Sequence, residues 1–195
     1  LLYAGVYLHL YNLVEATVSQ CISALETAAS TSGMVPFDLS TELRQEWVRS
    51  VARTHEDLNT SGRLEAAIKM CEHLVALLPI RNFEIFQGGG GNWDDEEIYK
   101  LSQRLGIDLQ CLQRSTQAQI KRPFRDNDGA LKVIKKRRNK LAHGEISFAE
   151  CGDGLSASEL EMLSNVTTQY LSEVIACFER HISERQYLHP TKRSA

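Results

Sequence analysis

The hydrophobic positions of this chain recur with helical spacing from one end to the other. The first and longest apolar segment covers residues 1 to about 30, where Leu10, Leu13, Val14, Ala16, Val18, Ile22 and Leu25 form one broad stripe that closes near Ser32-Gly33 and Pro36. A second helix is predicted from the Ser40/Thr41 region to Leu58, with Leu43, Trp47, Val48 and Val51 facing inward. Asn59-Thr60-Ser61-Gly62 breaks it, and Ser61 is placed to cap a third helix. That helix carries Leu64, Ala67, Ile68, Cys71, Leu74, Val75 and Leu78 as its apolar side and stops at Pro79. A fourth opens over Asn92 to Glu97 and ends at Gly106. Residues 107 to 129 are the least periodic, and the Asp126-Asn-Asp-Gly129 turn leads into a helix over 130 to 143 that Gly144 stops. Ser156-Ala-Ser-Glu159 is a capping box. It opens a last long helix with Leu160, Leu163, Val166, Tyr170, Leu171, Val174, Ile175 and Phe178 on its apolar side. No stretch sustains period-two alternation, so the predicted class is all-α, with about five to six helices.

Composition narrows the picture without changing it. At 195 residues, with 43% hydrophobic and 24% charged, the chain suits one well-filled domain over residues 1–187. The segment 188–195 reads as a frayed C-terminal tail. The first segment, without an initiator Met or basic leader, reads as a core helix of a trimmed chain. Interrupted by His9, Asn12 and Glu15, it falls short of the roughly 20 apolar residues that a membrane span needs, so no membrane association is expected. The five cysteines, Cys21, Cys71, Cys111, Cys151 and Cys177, are scattered, with no CxxC and no Cys/His pairing at zinc spacing. That usage fits free thiols in a reducing cytoplasm, and no metal or other cofactor is implied. His55 and His73 are lone histidines in helical patterns, read as packed or surface residues. The four glycines 88–91 lack a following Gly-Lys-Ser/Thr, and the helix after them opens with Asp94, Asp95, Glu96 and Glu97, which would repel phosphate. They read as a flexible connection.

The formal net charge of −3 makes the whole molecule a poor polyanion binder, so any nucleic-acid role needs a local patch. One stretch supplies it. Leu131 to Glu145 holds Lys132, Lys135, Lys136, Arg137, Arg138 and Lys140, and ends in His143-Gly144. On a helix, Leu131, Ile134, Leu141 and Ala142 share one side with Arg138 among them, while Lys136, Asn139, Lys140 and His143 group opposite. Arg138 and His143 are then about 140° apart and cannot face one phosphate within one straight helix. Either the helix distorts before Gly144, or a site is assembled between two copies. An arginine on the apolar side needs an acceptor, and Glu15 on the first helix is the candidate, unless Glu15 simply faces water. From the residues alone, a solvated lysine face, a salt-bridged core arginine and a nucleic-acid site all remain open.

Arg138-Asn-Lys-Leu-Ala-His143-Gly, followed by Ile146-Ser-Phe148, resembles the Arg-x4-6-His motif of the HEPN superfamily of helical ribonucleases and nucleotide-binding proteins. Leu10-Tyr-Asn-Leu-Val-Glu15 is similar to the MAE-type HEPN-like nuclease group, as is the Gly91-Asn-Trp-Asp94 turn leading to a helix that ends around Leu105-Gly-Ile107. The resemblance implies a helical bundle that forms a homodimer, with both Arg-Asn…His segments lining one cleft. It implies RNA cleavage without metal, the ribose 2′-OH attacking its adjacent phosphate. His143 would move protons as general base or acid, and Arg138 would stabilise the developing phosphorane charge. Asn139 would orient the phosphate or imidazole, Glu15 would support Arg138, and Lys135, Lys136, Arg137 and Lys140 would bind the RNA backbone. Arg137 also has a spacing to His143 within the family's range; Arg138 is favoured because Asn139 follows it. A toxin or antiviral-defence ribonuclease with an antitoxin or defence-system partner is the leading expectation. A non-catalytic module for dimerisation or partner binding is the alternative.

Overall fold

The structure, a computed structural model, describes residues 2–31, 33–54, 56–81, 83–87, 92–154 and 156–193. The expectations placed on Ser32, His55 and the glycines 88–91 lie outside the described residues. Among those described, α1 (Leu2–Ser30), α2 (Thr41–Val51), α3 (Thr60–Val75), α4 (Asp95–Leu105), α5 (Arg114–Lys121), α6 (Ala130–Ala142), α7 (Phe148–Cys151) and α8 (Ala157–Ser183) follow in order, with no strand. The fold is all-α, as the periodicity predicts. The count exceeds the expected five to six because α5 and α7 are too short to show a period. α5 buries only Thr116 and Ile120, and α7 is four residues held by a capping box, Ser147 N–H to Glu150 Oε2 at 2.8 Å and Glu150 N–H to Ser147 Oγ at 3.2 Å.

Local chemistry sets the boundaries. α2 ends at Val51 rather than Leu58 because the chain turns through Arg53 at φ 52°, a left-handed backbone that no helix continues. Asn59, not Ser61, caps α3: its side chain accepts from Gly62 N–H at 2.8 Å. Ser156 and Glu159 form the predicted box before α8, with Ser156 N–H to Glu159 Oε2 at 2.8 Å and Glu159 N–H to Ser156 Oγ at 3.2 Å.

The chain gathers into two compact units, to both of which α1, α4 and α8 contribute residues. The first comprises residues 1–20, 89–101 and 108–177. Its core includes Tyr7, Tyr11, Val14, Ile98, Leu131, Ile134, Leu163 and Val174, all buried. Here Cys111 is bonded to Cys177, with Cα atoms 6.4 Å apart, which corrects the expectation of free thiols throughout. A pair 66 positions apart leaves no spacing signal in the sequence. Cys21, Cys71 and Cys151 are free.

The second unit comprises residues 21–88, 102–107 and 178–195. Ile22, Leu25, Leu43, Trp47, Leu105 and Phe178 fill its core around one buried carboxylate. Glu46 is 1% exposed and meets Arg49 Nη1 at 3.0 Å and Arg104 Nε at 3.1 Å. Burial pushes the Glu46 carboxyl up, against the pull of Arg104 and Arg49. The tail does not fray through Arg193. Leu188 is buried and bridges Leu39, His189 N–H donates to Asp38 O at 2.8 Å, and Lys192 Nζ lies 3.1 Å from Asp38 Oδ1. A short polar-looking tail is held here because its backbone finds partners on the Pro36–Asp38 turn.

Asp38 holds that turn through its side chain, which accepts from Val35 N–H at 3.0 Å. Partial burial works against its charge, but Val35 and Lys192 outweigh it and hold the carboxyl below its ordinary range. A folded pKa below the unfolded one contributes stability that is full above the unfolded value and is lost as pH falls through the folded value. Asp38→Asn is therefore expected to cost about 1 kcal/mol in urea unfolding at neutral pH. Its difference from wild type should shrink as pH falls below about 4.

Candidate active site

The basic stretch forms α6, and the sequence around it explains both ends. Gly129 precedes the helix at a point where a Cβ would stand 2.5 Å from the Ile120 carbonyl oxygen, so only glycine lets the α5 and α6 backbones approach this closely. Asp128 lies at the positive end of the helix and also meets Lys132 Nζ at 3.5 Å and Lys136. Ala130, Leu131, Val133 and Ile134 bury the first two turns. At the far end Gly144 takes φ 69°, Gly144 N–H donates to Leu141 O at 3.2 Å and Glu145 N–H to Lys140 O at 2.9 Å, a glycine-terminated stop. The buried face covers only the first half of α6: Leu141 is half-buried and Ala142 exposed, so the expected apolar side does not extend to the helix end.

Arg138 is half-buried, and its guanidinium carbon sits 4.4 Å from the centroid of the Tyr11 ring. Its Nη1 donates to Asn139 Oδ1 at 3.0 Å, and Asn139 Nδ2 donates to Asn92 Oδ1 at 3.0 Å. The Arg138–Glu15 salt bridge expected from sequence is replaced by this ring contact. Tyr11 and Glu15 are one helical turn apart on α1, and the ring receives the cation, while half-buried Glu15 forms no ion pair with Arg138 among the described residues. Glu15 and Arg138 are still both close enough to act on Tyr11: burial raises its phenol pKa first, Arg138 pulls it down, and Glu15 pushes it up.

The lysine strip is less free than its sequence suggests. Lys135 pairs with Asp94, both largely buried, and Lys136 pairs with Asp128. Those two acids cancel charge that the sequence assigns to RNA. Arg137 is half-buried and turns toward Tyr7 and Cys151: burial raises both of their pKa values, and Arg137 opposes it. Lys140 is exposed. His143 is exposed at the C-cap, with its N–H donating to Asn139 O at 2.9 Å. No hydrogen bond, ion pair or ring contact joins His143 to Arg138 among the described residues. The structure thus brings Arg138, Asn139, Tyr11 and Asn92 together, and leaves His143 and Lys140 on open surface.

Sequence reasoning missed the Asn92-Trp93-Asp94 turn as a clamp. Asn92 holds Asn139, the Trp93 backbone bonds the Tyr11 hydroxyl, and Asp94 binds Lys135 while capping α4 through Glu97 N–H at 2.9 Å. The signal was present as an Asx residue ahead of an acidic helix start, but nothing in one sequence shows which helix it reaches. Among the described residues no group of three or more His, Cys, Asp or Glu side chains is placed to hold a metal ion. No helix there is long and apolar enough to cross a membrane.

The all-α architecture and the basic α6 segment are consistent with one class of helical domain, and the comparison with known families identifies it. The model of the family described as HEPN_MAE_28990/-like HEPN matches residues 1–187, and the chain belongs to that family. HEPN domains as a group are associated with ribonuclease activity and often dimerise. No curated protein and no solved structure matches the chain.

Asp94 is 4% exposed and serves two partners at once. Asp94→Ala removes a helix cap and leaves Lys135 half-sealed without its counter-charge. It is expected to cost about 2–4 kcal/mol in urea unfolding, whereas Lys140→Ala on the exposed side should stay within about 0.5 kcal/mol of wild type.

Proposed function

We propose that the chain is a metal-independent endoribonuclease whose active centre uses Arg138, Asn139 and His143. The observation that supports this reading is a guanidinium held by Tyr11 and Asn139, followed at the end of the same helix by an exposed imidazole, in a HEPN-family chain. His143 removes the proton from a ribose 2′-OH; the oxygen attacks the adjacent phosphorus; the P–O5′ bond breaks, and the leaving O5′ takes a proton from water, whose hydroxide then takes back the proton held by the His143 imidazolium. The products are a 2′,3′-cyclic phosphate and a 5′-OH. Arg138 stabilises the extra negative charge of the phosphorane, a task suited to a planar guanidinium already oriented by Tyr11 and Asn139. Asn139 orients phosphate or imidazole. Glu15 acts only through Tyr11 and Arg138. Because Arg138 and His143 stand about 140° apart on α6, the centre is composite, with the two groups contributed by two copies around one cleft. Lys140 and Arg137 are the cations left for the RNA backbone, with Lys136 exchanging its carboxylate for phosphate. Such an enzyme fits a cytoplasmic toxin or antiviral-defence role restrained by a partner protein.

A second reading has its own support. Arg138 is already occupied by a ring and an amide, and Lys135 and Lys136 by carboxylates, as in a structural core cation of a non-catalytic dimerisation or partner-binding module.

The two separate in one experiment, a cleavage assay on mixed RNA in EDTA with end-group analysis. The ribonuclease reading expects cyclic-phosphate ends and a loss of at least about 100-fold on His143→Ala. Arg138→Lys should fold normally yet lose comparable activity. Wild type that leaves RNA intact, together with an Arg138→Ala protein that unfolds, would establish the structural reading instead.

A further inference from the structure

α3 carries its apolar residues on the side away from its own packing. Ala66 is its buried residue, and with half-buried Gly62, Met70, His73 and Leu74 it marks the inward face, where the His73 ring lies 5.1 Å from Trp47. The predicted inward stripe is outside instead. Leu64 is 62% exposed, Ile68 50% and Val75 86%, and Cys71 is exposed between them. At about 100° per residue, positions 64, 68, 71 and 75 fall in a band about 60° wide, on the side opposite Ala66. Leu77 and Leu78, 63% and 45% exposed, continue the apolar surface past the helix end. Scattered exposed hydrophobics are ordinary, whereas a continuous stripe marks an interaction site.

We propose that this face is a pairing seam that takes α3 of a second copy of the chain, parallel and in register. The steps of four, three and four between those residues are the a/d spacing of a two-helix seam. Ile68 and Val75, both β-branched, occupy a; Leu64 and Cys71 occupy d. That allocation favours two parallel strands over higher assemblies. Charge selects the same arrangement. Glu65 and Glu72 lie at e, and Ala67 and Leu74 at g. Parallel pairing sets Glu72 beside the partner's Ala67 and Glu65 beside the partner's Thr60, while antiparallel pairing would set glutamate against glutamate. The seam is self-complementary, as a two-fold interface requires. One helix per chain is a small interface, so the dimer depends on concentration. The inference does not rest on the ribonuclease reading, since none of its residues lies on α6.

Cys71 tests the geometry directly. It is the exposed free thiol, with Cys21 and Cys151 buried and Cys111 bonded to Cys177. In a parallel in-register seam it faces its own counterpart. The experiment is sedimentation over a range of concentrations, with a short bismaleimide cross-linker, on the full chain. Wild type should dimerise and cross-link through Cys71, and Cys71→Ser should abolish the cross-link. Ile68→Glu or Val75→Glu should raise the dissociation constant of this seam, read as the protein concentration at which Cys71 cross-links, by on the order of 100-fold, because each seats an unpaired carboxylate in an apolar seam. Their circular dichroism should be unchanged, both positions being on the surface. His143→Ala, which abolishes cleavage under the ribonuclease reading, should leave the dimer intact. A wild type that shows no Cys71 cross-link at any concentration, or a Cys71 cross-link that survives Ile68→Glu, overturns the proposal, whether or not the chain also associates through α6.

Discussion

The site around α6 depends on one buried carboxylate. Asp94 is nearly sealed from water, and a charge in that position persists only if donors surround it. It finds them in Lys135 of α6 and in the Glu97 amide of α4, the helix it precedes. Satisfying Asp94 therefore fixes the approach of α4 to α6. The two residues before it complete the arrangement, Trp93 at the Tyr11 hydroxyl of α1 and Asn92 at the Asn139 amide. Three consecutive residues tie three helices, and Arg138 rests on two of the groups they hold, the Tyr11 ring and the Asn139 amide.

The same logic explains which parts of the fold are legible in the sequence. α1, α4, α6 and α8 bury one face each, so their hydrophobic period maps onto the core. The capping box before α8 and the Gly144 stop of α6 are local chemistry, readable within a few residues. α5 and α7 are shorter than the period that would reveal them. α2 stops early because Arg53 takes a left-handed backbone, a choice that no side-chain pattern announces. α3 misleads for a different reason. Its apolar stripe is real, but the pattern records that a face avoids water, not which partner covers it, and Leu64, Ile68 and Val75 point away from their own unit's core.

In the candidate site, Arg138, Asn139 and His143 were legible through their motif, and the mismatch of Arg138 and His143 on one helix through simple projection. The partners were not. Glu15 is the natural counter-charge by elimination, yet the cation lies on Tyr11, one turn away on the same face. A ring face and a carboxylate are alternatives that helical spacing alone does not rank. The lysines show the converse error: a run of like charge looks free in sequence because the acids that neutralise Lys135 and Lys136 come from Asp94, 41 positions away, and Asp128, eight away.

Those neutralised lysines change how the surface can meet RNA. Salt-dependent affinity scales with the number of phosphates that the protein's cations neutralise, and on α6 Lys140 and a half-buried Arg137 form no ion pair among the described residues. One chain with a net charge of −3 is thus a weak electrostatic reader of a polyanion. In the proposed ribonuclease, two chains present the basic helix twice, which doubles the local cations and supplies the His143 that one Arg138 lacks. That proposal's second copy then follows from charge as well as from helical geometry, and both arguments start from the seat that Tyr11 and Asn139 give Arg138.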